Sequence, residues 1–265
     1  MRNILVLVPF YNNKDDLMAS LLSIKEDIEI DILVVDDGSQ IAFESSQVVE
    51  LLPANCNLKS LRLSSNKGIT AALNFGLRWA YEQEYEFIAR LDAGDLCAPN
   101  RLEKQCDFLK VNKNVGIVGS WVQFVNEMGE NLFILKHPIN DLEIRNAIYR
   151  YNPFVHPAVM YRSAVIKEVN GYPDDYPALE DWACFMNMSR ITELANIPEV
   201  LLTYEVSASS ISSKKRFQQS KSKIKLLFDN YQLNVNQTVG LIKSSLILLA
   251  PRGLLTYVKT WVKNI

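Results

Sequence analysis

Two carboxylates, Asp92 and Asp95, stand in the run Arg90-Leu91-Asp92-Ala93-Gly94-Asp95. Tyr85, Phe87 and Ile88 before them read as a buried strand, and Pro99 leads into a helix-like segment from Arg101. Carboxylates at the carboxyl end of a strand sit where open α/β sheets bind their ligands. Their oxygens are the hard donors that Mg²⁺ and Mn²⁺ prefer, and such ions are commonly shared with substrate phosphates. A second acidic strand end, Asp36-Asp37-Gly38-Ser39, follows Ile32-Leu33-Val34-Val35. Two such ends point to a nucleotide together with Mn²⁺ or Mg²⁺. The competing reading of Asp92 and Asp95 is a solvated turn, or a cap for the helix at Arg101.

Other residues carry chemistry of the same kind, each beside a plainer reading. A strand-end Asp36 can accept a hydrogen bond from a nucleobase imide or a ribose hydroxyl, with Gly38 allowing the tight turn. Asp and Ser are also simply favoured in caps and turns. Val8-Pro9-Phe10-Tyr11-Asn12 is either a strand and turn or one wall of a base pocket, with Tyr11 against the ring. Asn66-Lys67-Gly68 precedes a strong helix, whose N-terminal N–H groups can receive an anion. Glu180-Asp181-Trp182 opens another helix; a carboxylate there either complements the helix dipole or acts as a general base. His156, between Pro153 and Pro157, either lines the site, binds the metal or serves the fold.

The elements that must position these groups alternate. Strands are read at Ile4–Val8, Ile32–Val35, Leu58–Leu63 and Phe87–Leu91, and helices at Leu17–Ile24, Phe43–Leu52, Thr70–Gln83 and Arg101–Val111. This rhythm predicts a mostly parallel sheet flanked by helices. The middle third reads as a strand over Val115–Val125, a returning strand at Phe133–Leu135, and helices at Leu142–Tyr149, Ala164–Val169 and Leu179–Thr192. The last third reads as helical and lysine-rich, from Lys214 to Tyr231 and Val239 to Ile265. Lys214–Lys225 fits a solvated helix face. With Leu246–Leu249 and Trp261 it also fits peripheral contact with an anionic membrane surface. The expected division is 1–112 for a nucleotide-binding half, 113–210 for a second half of the same domain, and 211–265 for a helical extension.

Composition narrows the classes. A net charge of −2 supplies no basic field for nucleic acid. Four cysteines without a CxxC spacing read as reduced thiols, and two histidines exclude a His-rich zinc site. Met1-Arg2-Asn3 runs into a short apolar stretch closed by Pro9, which reads as a first strand rather than a secretory signal. The expected location is therefore cytoplasmic, with the inner membrane surface as the place of any peripheral contact. Neither a P-loop nor a GxGxxG pattern occurs.

Taken in order, these motifs resemble the family 2 glycosyltransferases, inverting enzymes of the GT-A fold. The matching residues are Val8-Pro9-Phe10-Tyr11-Asn12, Val34-Val35-Asp36-Asp37-Gly38-Ser39, Asn66-Lys67-Gly68-Ile69 with Ala72-Leu73-Asn74, and Ala89 to Asp95. They continue through Pro99, Arg101-Leu102, Gln105, Val118-Gly119-Ser120, His156-Pro157, Gly171-Tyr172 and Glu180-Asp181-Trp182. The resemblance is to the branch that builds O-antigen, capsule or exopolysaccharide. It implies a nucleotide-sugar donor, most simply a UDP-sugar, and a saccharide acceptor, lipid-linked in that branch. It implies Asp36 on the uracil or ribose, with Pro9, Tyr11, Asp37, Asn66, Lys67, Gly68, Arg90 and Asp92 on the nucleotide. Asp92 and Asp95 are implied for the metal, Asp181 as the base, and His156, Glu180 and Trp182 for acceptor or metal contact. A homodimer is also compatible with the chain. Two departures stand out: Gly94 occupies a position where the family usually has Asp, and Tyr204-Glu205-Val206-Ser207 replaces a Tyr-Arg followed by His. Two rivals stay open at this point. A sugar nucleotidyltransferase would carry a basic glycine-rich loop where Phe10-Tyr11-Asn12-Asn13 stands, and a non-catalytic binding protein of a polysaccharide assembly is favoured by the two departures.

Overall fold

Apolar runs of four to seven residues become strands buried on both faces, as parallel sheets require. The computed structural model describes residues 3–206, 216–231, 238 and 240–242. The first half contains β1 (Ile4–Phe10), α1 (Lys14–Leu22), β2 (Ile30–Asp36), β3 (Cys56–Arg62), α2 (Ile69–Glu82) and β4 (Phe87–Arg90). A short β5 (Leu96–Cys97) and α3 (Arg101–Val111) follow. Then come β6 (Val115–Val125), β7 (Asn131–Leu135), α4 (Asp141–Ala147), β8 (Met160–Arg162), α5 (Ser163–Glu168), α6 (Glu180–Met188), β9 (Glu193–Glu205) and α7 (Arg216–Asp229).

One sheet runs in the order β3-β2-β1-β4-β8-β6-β9-β5, with β7 added on β6. The half from β3 to β4 is parallel throughout. Beyond β4 the pairing is mixed: β8 runs antiparallel to both β4 and β6, while β9 runs parallel to β6. Alternate residues of β1 feed two cores. Val6, Val8 and Phe10 meet Leu17 and Leu21 of α1 and Leu102 and Leu109 of α3. Leu5 and Leu7 meet Leu73 and Leu77 of α2 and Phe185 of α6. Both cores draw on residues before and after position 112, so the segments on either side of it are parts of one body.

Three sequence expectations are corrected. Phe43–Leu52 is not a helix but two 3₁₀ turns, Ser45–Gln47 and Val49–Leu51. Phe43, Val48 and Leu52 are all buried, and an α-helix would turn Phe43 to the side opposite Val48 and Leu52 instead of aiming all three at one core. The helix read at Leu179–Thr192 ends at Met188, and the chain turns into β9, a strand that periodicity alone did not reveal. The lysine-rich helix is not a free face in its described part. Lys223 donates to the Arg150 carbonyl at 2.9 Å and lies 5.0 Å above the Trp182 ring, and Lys225 lies 4.3 Å above Tyr176. Leu226 and Leu227 are buried beneath it. Residues 239 and 243–265 lie outside the described residues, and the membrane-surface expectation rests on them. Among the described residues no helix is long and apolar enough to cross a membrane. The four cysteines are buried and free.

Candidate active site

The turn after β4 is clasped from α1. Ser20 Oγ accepts from the Gly94 N–H at 2.8 Å and donates to the Asp92 carbonyl at 3.2 Å, and the Asp16 carbonyl accepts a second bond from Gly94. Gly94 has φ +104°, a conformation that side chains strain to adopt. Gly therefore suits this backbone without strain. The Asp16 carboxylate stands 3.6 Å from where a Cβ at Gly94 would lie, so α1 brings a further acid to the edge of this turn.

Asp95 is 4% exposed, and its Oδ2 has no hydrogen-bond partner among the described residues. Burial, and then the Asp92 charge, push its carboxyl well above the usual carboxylate range. An orphaned buried oxygen beside a half-buried Asp92 fits a divalent cation, whose charge would satisfy both. Among the described residues no three His, Cys, Asp or Glu side chains converge on one point. The protein would thus supply one or two carboxylates and leave the remaining positions to diphosphate and water, as Mg²⁺-type sites do.

The acidic end of β2 is turned inward. Asp36 is 1% exposed; its oxygens accept from Ser39 N at 2.8 Å and Phe43 N at 3.2 Å, with Arg62 3.7 Å away. Asp37 accepts from Lys67 N and Gly68 N, both at 2.8 Å. Ser39 Oγ accepts from Asn12 N at 2.9 Å, and Asn12 Oδ1 accepts from Gln40 N at 2.8 Å. Three loops are thereby tied into one wall that leaves Tyr11 half exposed and Asn66 and Lys67 exposed. The lone pairs of both carboxylates satisfy main-chain donors that would otherwise be stranded. Gly38 closes this wall at φ +70°, and a Cβ there would stand 2.4 Å from the Ser65 carbonyl carbon. Gly38→Ala is expected to cost about 1–3 kcal/mol, since neither backbone can yield. A melting temperature equal to wild type contradicts this.

Arg90 also departs from expectation. It is 0% exposed, so it cannot touch a nucleotide directly. Its donors go to the Leu7 and Leu91 carbonyls, Asp92 Oδ1 and His156 Nε2. His156 Nε2 also meets the Tyr172 hydroxyl at 2.9 Å, so this nitrogen is engaged by the protein. Burial, and then Arg90, hold this imidazole well below its ordinary pKa, so it is neutral and Nε2 accepts.

At the start of α6, Asp181 Oδ2 accepts from Asn152 Nδ2 at 2.8 Å and Oδ1 from Trp182 N at 2.7 Å. Burial, and then the Glu180 charge, push its carboxyl up to about 7; Asp92 adds to the shift. Asp181 therefore lies near enough to Asp92 for their charges to interact. Glu180 is buried. Trp182, expected near an acceptor, is instead a core residue: it is 3% exposed and its indole N–H donates to the Ile148 carbonyl. Sequence reading missed Asn152 and Ser20 altogether, because single polar residues in loops and helices carry no periodic signal.

Comparison with known proteins gives the family and the fold. The profile described as "Glycosyl transferase family 2" matches residues 5–169. A UDP-Gal:alpha-D-GlcNAc-diphosphoundecaprenol beta-1,3-galactosyltransferase of Escherichia coli is 30% identical over 210 residues, covering 77% of this chain and 73% of its own. The amylovoran biosynthesis glycosyltransferase AmsE of Erwinia amylovora is 28% identical over 250 residues, 92% of this chain and 90% of its own. Among solved structures, the mannosyltransferase PcManGT of Pyrobaculum calidifontis in complex with GDP-Man and Mn²⁺ superimposes with a TM-score of 0.66. It is 16% identical and covers 99% of this chain and 80% of its own.

Proposed function

Because the chain belongs to glycosyl transferase family 2, we propose that it is an inverting, metal-dependent enzyme that moves a hexosyl group from a UDP-sugar to a saccharide hydroxyl. The acceptor is a lipid-linked saccharide of a bacterial surface polysaccharide. This reading takes its donor and acceptor classes from the E. coli galactosyltransferase and its pathway class from the amylovoran enzyme. The observation that carries it is Asp181, a carboxyl at the start of α6 that is steadied by Asn152 and the Trp182 N–H and lies near enough to Asp92 to feel its charge.

The acceptor oxygen attacks the anomeric carbon as the bond to the diphosphate breaks, which inverts that carbon. Asp181 takes the hydroxyl proton at an oxygen steadied by Asn152. Asp36 and Asp37 act on the nucleotide through the wall they hold together, with Pro9, Tyr11, Asn66, Lys67 and Gly68 along its rim. Asp92 and Asp95 would hold Mn²⁺ or Mg²⁺. Such an ion supplies positive charge to the departing diphosphate. Residues 1–112 then carry the donor, and 113–210 supply the acceptor side and the base. The α6 and β8–β9 elements assemble that second side.

The test is UDP release from UDP-Gal or UDP-GlcNAc with Mn²⁺, with and without a lipid-diphosphate-linked GlcNAc acceptor, together with the anomeric configuration of the product. Acceptor-dependent release with a β product from an α donor is expected. A protein that binds UDP yet never releases it from a donor belongs to the non-catalytic class. A retained α configuration removes the single-displacement mechanism.

A further inference from the structure

We propose that Tyr172 and His156 are positioning residues for Asp92, forming a buried polar relay that ties the helix behind the nucleotide wall to the carboxylate facing the diphosphate. This rests on the assignment of Asp92 to the diphosphate made above. Four separate parts of the chain meet here: Asn74, Arg90 with Asp92, His156, and Tyr172. On one side, Tyr172 is bolted to α2: its N–H donates to Asn74 Oδ1 at 2.9 Å, and its carbonyl accepts from Asn74 Nδ2 at 2.8 Å. Gly171 makes that approach possible. Its φ is +73°, and a Cβ would stand 2.6 Å from Asn74 Oδ1. On the other side, the Tyr172 hydroxyl reaches His156 Nε2 at 2.9 Å and Tyr161 Oη at 3.3 Å. His156 Nε2 in turn accepts from Arg90 Nε at 3.3 Å, and Arg90 holds Asp92 Oδ1.

Apolar side chains of similar volume would fill this space without the cost of desolvating a guanidinium and two hydroxyls. The polar arrangement therefore needs a further use, and its exit supplies one. Arg90 is 0% exposed, whereas the Asp92 side chain is 29% exposed at the cleft. Fixing the guanidinium from behind, through His156, fixes which Asp92 oxygen is occupied by protein and the orientation of the other. The far end is α2, whose first turn follows the Lys67-Gly68 loop held by Asp37. The relay thus sets the diphosphate carboxylate relative to the loop that receives the nucleotide. Groups that orient a metal or phosphate ligand in this way typically contribute 10–100-fold in affinity or activity.

The experiment compares Tyr172→Phe, His156→Gln and His156→Leu with wild type for kcat, UDP affinity with Mn²⁺, uridine affinity and melting temperature. Gln carries an acceptor close to the Nε2 position, and Leu carries none. Tyr172→Phe and His156→Leu are expected to lower kcat and Mn²⁺-dependent UDP affinity about 10-fold, with uridine affinity unchanged and His156→Gln close to wild type. The inference is overturned if the variants lower only the melting temperature, or if uridine and UDP affinities fall together. It is also overturned if Gln is as damaging as Leu; should Tyr172→Phe fail to fold, the Gln and Leu pair decides. Asp92→Asn separates the two levels. If it leaves Mn²⁺-dependent UDP binding intact, the assignment of Asp92 falls and takes this inference with it. If it impairs binding while Tyr172→Phe and His156→Leu do not, the inference alone falls.

Discussion

Asp181→Asn is expected to reduce sugar transfer by about 10²-fold or more, the contribution of a positioned general base, while UDP affinity stays within a few-fold. Asn keeps one oxygen, which can accept from either the Asn152 or the Trp182 N–H donor, but it cannot take a proton. The pH dependence follows from the carboxyl's position near 7, caused first by burial and then by Glu180. Below that value Asp181 is protonated and cannot serve, so transfer by the wild type should rise with pH and level off above about 7. Stability runs the other way. The folded-state pKa lies above the unfolded value of about 3.9, so the folded protein binds this proton more tightly. The contribution is present at low pH and is lost as pH rises through about 7. Asp181→Asn should therefore melt higher than wild type at pH 8 and show little of that gain at pH 4. Transfer within a few-fold of wild type would remove Asp181 as the base and make Glu180 the next candidate.

The second large effect concerns Asp92. Asp92→Ala is expected to abolish the Mn²⁺-dependent part of UDP binding, and Asp95→Ala to weaken it. Ala at position 92 also strips the buried Arg90 of its counter-charge. Removing one partner of a fully buried pair costs about 3–5 kcal/mol, and the cost here is smaller because the Asp92 side chain is 29% exposed. Asp92→Asn separates the two consequences: it leaves an acceptor for Arg90 but a poor cation ligand. Titrating UDP with and without Mn²⁺, alongside thermal melts, should show Asn losing the metal response at nearly wild-type stability and Ala losing both. Identical titrations for all variants with metal present would remove the metal assignment.

Much of this site is legible before any coordinates. The strands β1, β2 and β4 announce themselves as short apolar runs, and α3 and β6 have the bounds their patterns predict. The acids at the ends of β2 and β4, and at the start of α6, mark the cleft. Those signals are local: side-chain periodicity and the chemistry of a few adjacent residues suffice to generate them.

Direction and partnership are not local. Arg90 and Asp92 read alike as polar residues at a strand end, yet one is sealed inside and the other faces the cleft. The difference lies in Leu7, His156 and Tyr172, which arrive from elsewhere in the chain. Asp36 and Asp37 look available in sequence but are occupied because loops around residues 39, 43 and 67 bring their N–H groups to them. The strand β9 has no strong period of its own, and its pairing along β6 makes it part of the sheet. By itself the sequence determined which segments fold and which acids lie at their ends, since hydrophobic patterning and turn chemistry act over a few residues. Only the tertiary structure decided which of those acids are turned inward and which stay partly exposed, because a buried polar group must be satisfied by whatever distant segment reaches it.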